Sequence, residues 1–595
     1  MAELQNGRRE QDGATSIEVS DSQLTLRYRH PRLPYVTAVN GGGMADWNYS
    51  HCGASASLHL PRQQAVLVRL QIRAEDFQDC IGVEPGRQRE ASLGKWERRT
   101  TAVTSDARSP FTRIVSNALH DMGSFALLEG AEEEWLAPGA GVPAYLALWG
   151  RDAVTAVWQS ALFDRGAMAA AALARTAALQ GQKTAPERDE EPGRIIHSAR
   201  TGPLERLGRT PFARYYGDQA SPFDFIFALA HAYACSGEIS ILTRHWDAAR
   251  RILDWAREYG DRDGDGYLEY LTHSRQGPEN QGWKDSGNAM VHGDGRKALP
   301  PLAACEVQGY YFAALQVMAG FSGLLGEPGT AIALWRQATE LRERFNRDFW
   351  MEDDGFIALA LDAEKEQLRT ITSNVGQCLA TGIITKEHLQ RVVRRLFESD
   401  LFSGWGIRTL STKNPGYNPL DYHVGSIWPV ENATIVFGLR RFGFDNEALT
   451  LIDALYDLAM LWPNGRIPEC VGGYDRANCA HPAAYPRANV AQLWNQSGWL
   501  MILQAMLGLQ PMAPLETMAV DPALPRWLPE ITLHRLRLGS AVVTLRFRRS
   551  EKGDVHVEVL KQEGTLHIIR QPSPNSISTG IWDRLGSLFK SPVGH

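Results

Sequence analysis

Asp285 stands beside an indole and a lysine in the polar stretch Gln281-Gly282-Trp283-Lys284-Asp285-Ser286. Aromatic faces bind the apolar side of sugar rings, and a carboxyl held next to one can protonate a glycosidic oxygen. To act as a general acid at neutral pH, Asp285 must keep its proton, which burial or a neighbouring carboxylate would secure. The chemistry also needs a second carboxyl. Glu469, in Arg466-Ile467-Pro468-Glu469-Cys470-Val471-Gly472-Gly473-Tyr474-Asp475, is the favoured partner. Pro468 restricts the backbone before it and two glycines permit tight turns after it, so the loop can hold a carboxylate against a water. Taken singly, Asp285 reads equally as a helix cap or an ion-pair partner of Lys284, and Glu469 as a partner of Arg466.

Other acids compete. Glu431 follows Tyr422-His423-Val424-Gly425-Ser426-Ile427-Trp428-Pro429, and it is either the base in place of Glu469 or a residue stabilising the first turn of a helix beginning near Asn432. Glu306 opens another helical run and is expected behind Asp285. In Trp149-Gly150-Arg151-Asp152 an Arg-Asp pair can grip adjacent hydroxyls of one sugar, or cap the helix that follows. Asp261-Arg262-Asp263-Gly264-Asp265-Gly266 has the first half of a calcium loop, but Thr272 stands where an EF-hand has its bidentate Glu. An Asp/Gly turn is the default there, no metal is assigned, and structural metal binding stays open. The charged run Pro186 to Glu191 is expected to be a solvated loop.

These residues need a frame. Residues 16–29 and 65–73 alternate apolar and polar (Val66, Val68, Leu70, Ile72), which predicts strands and a small β-rich domain over 16–105 after a disordered start at 1–15. From Phe111 the period changes: Phe111, Ile114, Val115, Ala118, Leu119 and Met122 form a helical stripe. Helix-like segments recur near 152–182, 222–259, 302–348, 386–397, 432–460 and 488–508, eleven or twelve helices in all, mostly paired across Gly/Pro/Trp-rich loops. Twelve helices of alternating direction can close into two concentric rings. The loops at 149–152, 281–288, 404–408, 422–432, 466–476 and 485–499 would then converge on one pocket. A mainly α chain is expected, with a helical domain over 106–512, a short β region over 513–570, and a tail over 571–595 carrying one weak helix around Ile581 to Leu585.

Composition narrows the partners. A net charge of −6 over 595 residues, with both signs interspersed, leaves no basic footprint for nucleic acid. The start is polar and no run of about 18 apolar residues occurs, so the expectation is a cytoplasmic protein without a membrane partner. The seven cysteines have no metal spacing and read as reduced thiols. Most of the 17 tryptophans are expected in the core, yet carbohydrate sites use the same residue for stacking.

Together, Trp149 to Asp152, Arg188-Asp189-Glu190-Glu191-Pro192-Gly193, Asn280 to Ser286, Phe402 to Thr409, Tyr422 to Pro429 and Pro468-Glu469 resemble, in order and spacing, the bacterial amylo-α-1,6-glucosidase family. These are glycogen-debranching-type glycosidases of the glucoamylase-like clan. The resemblance spans about residues 110–550 and implies an (α/α)6 barrel, inverting hydrolysis of α-glucosidic bonds, an acid at Asp285, a base at Glu469 and no cofactor. It carries Arg151, Asp152, Trp283, Trp405, Arg408, His423, Trp428, Gln492 and Trp494 over as pocket residues, and Lys284, Asn288 and Glu431 are further substrate-binding candidates of this chain. There are departures: many relatives have Trp-Asp after the catalytic Ser where this chain has Gly287-Asn288, and His-Asp where it has Val430-Glu431. The expected activity is exo-acting release of a non-reducing α-glucosyl residue from an oligosaccharide or small glucoside. Hydrolysis of another α-glycoside with a small polar aglycone, and a non-catalytic sugar-binding protein, are the alternatives. Homo-oligomerisation is left open.

Overall fold

A computed structural model describes residues 13–30, 32–33, 35–76, 85–105, 109–129 and 134–572. The expected tail helix around Ile581 and residues 1–12 of the expected disordered start lie outside these residues, while Ala14 already belongs to a strand. The chain divides into two compact units. The first comprises Met1–Gln88, Gly130–Glu132 and Thr201–Ala213; the second comprises Arg89–Glu129, Glu133–Arg200 and Arg214–His595.

The first unit is built on β1 (Ala14–Val19), β2 (Leu24–Arg29), β3 (Tyr35–Gly43) and β6 (Val68–Asp76), hydrogen-bonded in that order as an antiparallel sheet. A separate hairpin joins β4 (Asp46–Ser50) to β5 (Gly53–Ser57). The alternation in β6 does mark a strand. Its apolar side is not half-buried as expected: Val68, Leu70 and Ile72 are all exposed.

In the second unit twelve helices matter. They are α1 (Pro110–Ser124), α2 (Gly150–Ser160), α3 (Ala167–Ala178), α4 (Ser221–Ser236), α5 (Ile239–Trp255), α6 (Cys305–Leu324), α7 (Pro328–Asp348), α8 (Asn374–Thr381), α9 (Lys386–Leu396), α10 (Pro429–Phe442), α11 (Asp445–Met460) and α12 (Leu493–Leu507). A helix at Pro85–Arg99 precedes them, inside the stretch expected to be β-rich. Sequence explains the local choices. In α1, Pro110 occupies the first turn, the Ser109 hydroxyl accepts from the Phe111 N–H, and the six stripe residues from Phe111 to Met122 are buried. In α9, Leu389, Val392, Val393 and Leu396 form the buried face.

Even-numbered helices pack on one another in a closed circuit: α2 on α4, α4 on α6, α6 on α8, α8 on α10, α10 on α12, and α12 back on α2. Each also packs on an odd-numbered helix, α12 on α1, α2 on α3, α4 on α5 and also on α3, α6 on α7, α8 on α9 and α10 on α11. The circuit helices are accordingly the most buried, and in α12 every residue is buried. Each large apolar side chain so placed stabilises the fold by about 1.5–3 kcal/mol. Four circuit helices open with an acid in the first turn, Asp152, Asp224, Glu306 and Glu431, where the helix dipole favours negative charge.

Three long strands close the chain: β8 (Glu530–Leu538), β9 (Ala541–Arg549) and β10 (Val555–Glu563). They form an antiparallel sheet completed by β7 (Ala102–Thr104), with Val103 opposite Leu533. A strand expected with the N-terminal β region therefore belongs to the C-terminal sheet. Among the described residues no helix is long and apolar enough to cross a membrane.

The acidic loop at 261–265 folds as a turn whose carboxylates converge. Lys365 enters it, with Nζ 2.8 Å from Asp263, 2.9 Å from Asp265 and 2.5 Å from Glu269. The charge that suggested calcium is thus answered from within the chain.

Candidate active site

Asp285 lies in an irregular segment that secondary structure does not hold, so side chains do. Asn280 accepts from the Tyr270 hydroxyl at 2.9 Å and donates to the Ser286 carbonyl at 2.8 Å, bracing the turn from within. Gln281 accepts from Arg194 at 2.6 Å and donates to Asp189 at 3.3 Å. Asp189 in turn accepts from Tyr215, Thr272 and the His273 and Ser274 N–H groups. The run expected to be a solvated loop is therefore the hub that anchors the Asp285 segment. Lys284 is buried and donates to the Thr409 carbonyl at 2.6 Å, so it is no ion-pair partner of Asp285.

Arg151 reaches Asp285 from the first turn of α2. Its Nη2 donates to Asp285 Oδ2 at 3.1 Å and its Nη1 to the Gly282 carbonyl at 3.0 Å, with Asp218 at 3.4 Å and the Trp494 ring 5.7 Å below. That approach depends on Gly150, whose N–H donates to the His197 carbonyl, and where a Cβ would stand 1.8 Å from the Ile196 carbonyl oxygen. The same strand contact presents His197, whose Nε2 lies 3.7 Å from Asp285 Oδ2. His423, on the other side, holds the Ser286 hydroxyl at 2.9 Å.

Glu469 is held by neutral groups. Oε1 accepts from the Tyr422 hydroxyl at 2.5 Å, and Oε2 accepts from the Asn489 N–H and side-chain amide at 3.0 and 3.1 Å. The Asn495 amide binds the Pro468 carbonyl, and paired backbone bonds between Ile427 and Val471 tie this loop to the Tyr422 loop. Arg466 turns away to Asp121, at 2.6 and 2.7 Å, and among the described residues Glu469 has no ion-pair partner.

The two carboxyls have opposite proton affinities. Burial pushes Asp285 up, but the His197 ring, the Arg151 guanidinium and His423 outweigh it and hold the carboxyl well below the usual carboxylate range. Burial raises Glu469 to about 7 against its three hydrogen bonds, with the Asp285 charge adding to the rise. Asp285 is thus ionised in the empty site, against the expectation that its surroundings would keep it protonated. Asp152 is likewise raised to about 7 by burial, and Glu469 adds to the effect. Its Oδ1 accepts from Gln492 at 3.0 Å.

Around these groups stands an aromatic box. Trp283 meets His423 and Trp428 edge-on at 5.4 and 5.5 Å, His423 stacks on Trp428 at 5.1 Å, and Trp494 is 6.0 Å from Trp428. Trp283 is packed within this box rather than offering an open platform. The indole N–H groups of Trp283 and Trp494 and one oxygen of Glu431 are buried without a partner. All three border a cavity of about 200 Å³ that every circuit helix helps to line and that Arg151 also reaches. Glu431 accepts from Gln377 at 3.4 Å and burial raises it to about 7. Asn288 is exposed and donates to Asp421, and a Cβ built at the exposed Gly287 would meet nothing within 4 Å, so the chain just after Ser286 faces open space.

Two expected pocket residues do other work. Arg408 is buried and donates to the Gly473 and Ser399 carbonyls and to Asp475. Trp405 is buried with its indole N–H on the Cys479 carbonyl. Both fasten loops behind the site. Residues that the sequence did not single out include His197, Asp218 and Asn489. Of these only Asn489, inside the loop 485–499 expected at the pocket, carried any signal.

Residues 219–482 match the family model of the mannosylglycerate hydrolase MGH1-like glycoside hydrolase domain. The chain therefore carries a glycoside hydrolase domain, and the matched span holds both Asp285 and Glu469. No curated protein matches the sequence. In fold the chain is similar to the GH78 family rhamnosidase of Bacillus sp. GL1, with TM-score 0.57, 11% identity, and 96% of this chain and 55% of that one covered. It is similar also to a sialidase, with TM-score 0.57, 10% identity and coverage of 93% and 61%. A third is the GH63 mannosylglycerate hydrolase from Thermus thermophilus in complex with Tris and D-glycerate, with TM-score 0.50, 12% identity and coverage of 65% and 99%. The chain spans between half and two thirds of the first two proteins, 55% and 61%. The likenesses to solved structures show the fold and the family match carries the glycoside hydrolase class, and neither singles out the amylo-α-1,6-glucosidase family or a glucosyl substrate.

Proposed function

We propose that this protein is an exo-acting, inverting hydrolase of α-hexosides with a small polar aglycone, working on the (α/α)6 barrel that the closed helix circuit suggests. One observation carries it: a partly buried and a fully buried carboxyl within electrostatic reach of each other, beside one aromatic cluster, each held by a dedicated set of partners. Glu469 removes a proton from a water as its oxygen attacks the anomeric carbon, the glycosidic C–O bond breaks, and Asp285 delivers a proton to the departing oxygen. Glu469, poised near 7, suits a base. Asp285 must gain its proton as substrate enters, when the glycosidic oxygen takes the place of Arg151 against Oδ2. The mannosylglycerate hydrolase match favours a small aglycone over an oligosaccharide. α-Glucosides remain the substrates to which the debranching-type motifs point.

A second reading exchanges the roles, with Glu469 as acid and Asp285 as base, and the proton affinities of the empty site favour it. A panel of α-glucosides, α-linked disaccharides and mannosylglycerate, followed by NMR of the first-formed sugar, tests the class. The β-anomer should appear first from an α-linked substrate. The α-anomer first, or no turnover of any member, would contradict the proposal.

A further inference from the structure

We propose a second binding site, for a small phosphate-bearing anion, at the end of the circuit helices opposite Asp285 and Glu469. Arg151 projects from the first turn of α2, whereas Arg165 follows that helix's last turn, about 15 Å further along its axis. There a cavity of about 290 Å³ is lined by Arg165, Arg244 and Arg537, by Ser236 and Ser240, and by a single carboxylate, Glu238. None of the three guanidinium groups has an ion-pair partner among the described residues.

Their geometry leaves donors to spare. Arg165 gives one Nη2 bond to the Arg535 carbonyl at 3.3 Å and Arg537 gives Nε to the Gly539 carbonyl at 3.0 Å, so both guanidinium groups are fastened by neutral acceptors. The Nε of Arg165 is buried and has no partner. Asp164, adjacent in sequence, does not answer it: its oxygens accept from the Gly166 and Met168 N–H groups instead. Arg165 has a φ of 56°, a left-handed conformation that a long side chain adopts only when its surroundings impose it. Arg537 and Arg535 stand near enough to depress the Arg165 pKa, beyond the effect of its burial. The positive end of the 17-residue helix α5 opens on the same wall.

Like charges gathered in a recess repel unless an anion joins them, and guanidinium forks match the oxygens of a phosphate. The cavity exceeds what a bare phosphate needs, so a phosphorylated sugar fits the same chemistry. Glu238 sets a limit on affinity, since its charge opposes the ligand.

Isothermal titration of the full-length protein with inorganic phosphate and with a hexose 6-phosphate, at ionic strength fixed with chloride, tests this. Saturable 1:1 binding is expected, weakened at least tenfold in Arg165→Gln/Arg537→Gln and unchanged in Arg151→Gln. Tighter binding of the hexose phosphate would add sugar contacts to the site; equal binding would assign recognition to the phosphate alone. Should the double variant not fold by circular dichroism, the exposed Arg244→Gln decides, with a severalfold weakening expected. No saturable binding of either probe, binding untouched by these variants, or binding lost in Arg151→Gln would overturn the proposal.

Discussion

The loop carrying Asp285 leaves its carboxyl partly exposed, the loop carrying Glu469 buries its own, and the two have opposite proton affinities. Asp285 faces Arg151 and two imidazoles, and is held ionised. Glu469 faces a phenol and an amide, and burial wins. Burial alone therefore does not choose an acid; the charge of what replaces water does. Between the two affinities the pair holds one proton, and the surroundings of the two carboxyls favour Glu469 as its carrier. The productive arrangement needs it on Asp285, which ties catalysis to the displacement of Arg151 by substrate.

Glu469→Gln should cost the most, about 10²- to 10⁴-fold in kcat on every substrate with binding largely kept, the range general base removal usually gives. Retention of wild-type rates would transfer the role to Glu431. In wild type, kcat/KM should fall as pH rises through about 7, where the pair loses its one proton. That limb belongs to the pair and appears whichever carboxyl carries the proton. Arg151→Gln removes the cation that keeps Asp285 ionised, so the acidic limb should climb by at least about one unit; an unmoved limb would separate Arg151 from the carboxyl's titration. Tyr422→Phe deletes a donor to ionised Glu469, and the upper limb should rise by about one unit. Smallest of all, Gly287→Trp should fold normally, because the space is open, and narrow the range of accepted aglycones without altering the limbs.

Folding carries the same signature. Burial raises Asp152, Asp164 and Asp224 to about 7 each, so the folded chain binds more protons than the unfolded one between their ordinary value of 3.8 and 7. Stability should fall as pH rises through that window. Thermal melts from pH 4 to 8 should show the decline, and Asp224→Asn should shrink it.

The sequence made some of this plain and hid the rest for physical reasons. The α1 stripe was legible because that helix has one dry face, whereas α12 is buried on every side and α8 is only eight residues long, so neither offers a clear period. Pairs such as α2 and α3 read as one segment because the break at Arg165 and Gly166 lies in left-handed backbone rather than in composition. Asp285 and Glu469 stood out because their immediate neighbours are unusual. Their proton affinities did not, since His197, Arg151, Tyr422 and Asn489 arrive from distant parts of the chain. Arg408 and Lys284 read as pocket residues by the company they keep in sequence, yet both bind backbone carbonyls, Arg408 together with the Asp475 carboxylate.

An α-hexosyl fluoride needs no proton on its leaving group, so it separates the two carboxyls where a pH profile cannot. With the hexose fixed by the substrate panel, Asp285→Asn should turn over the fluoride within about tenfold of wild type while losing the natural glycoside by about 10²- to 10⁴-fold, and Glu469→Gln should lose both. Fluoride hydrolysis that survives in Glu469→Gln and fails in Asp285→Asn would contradict the assignment and exchange the acid and the base.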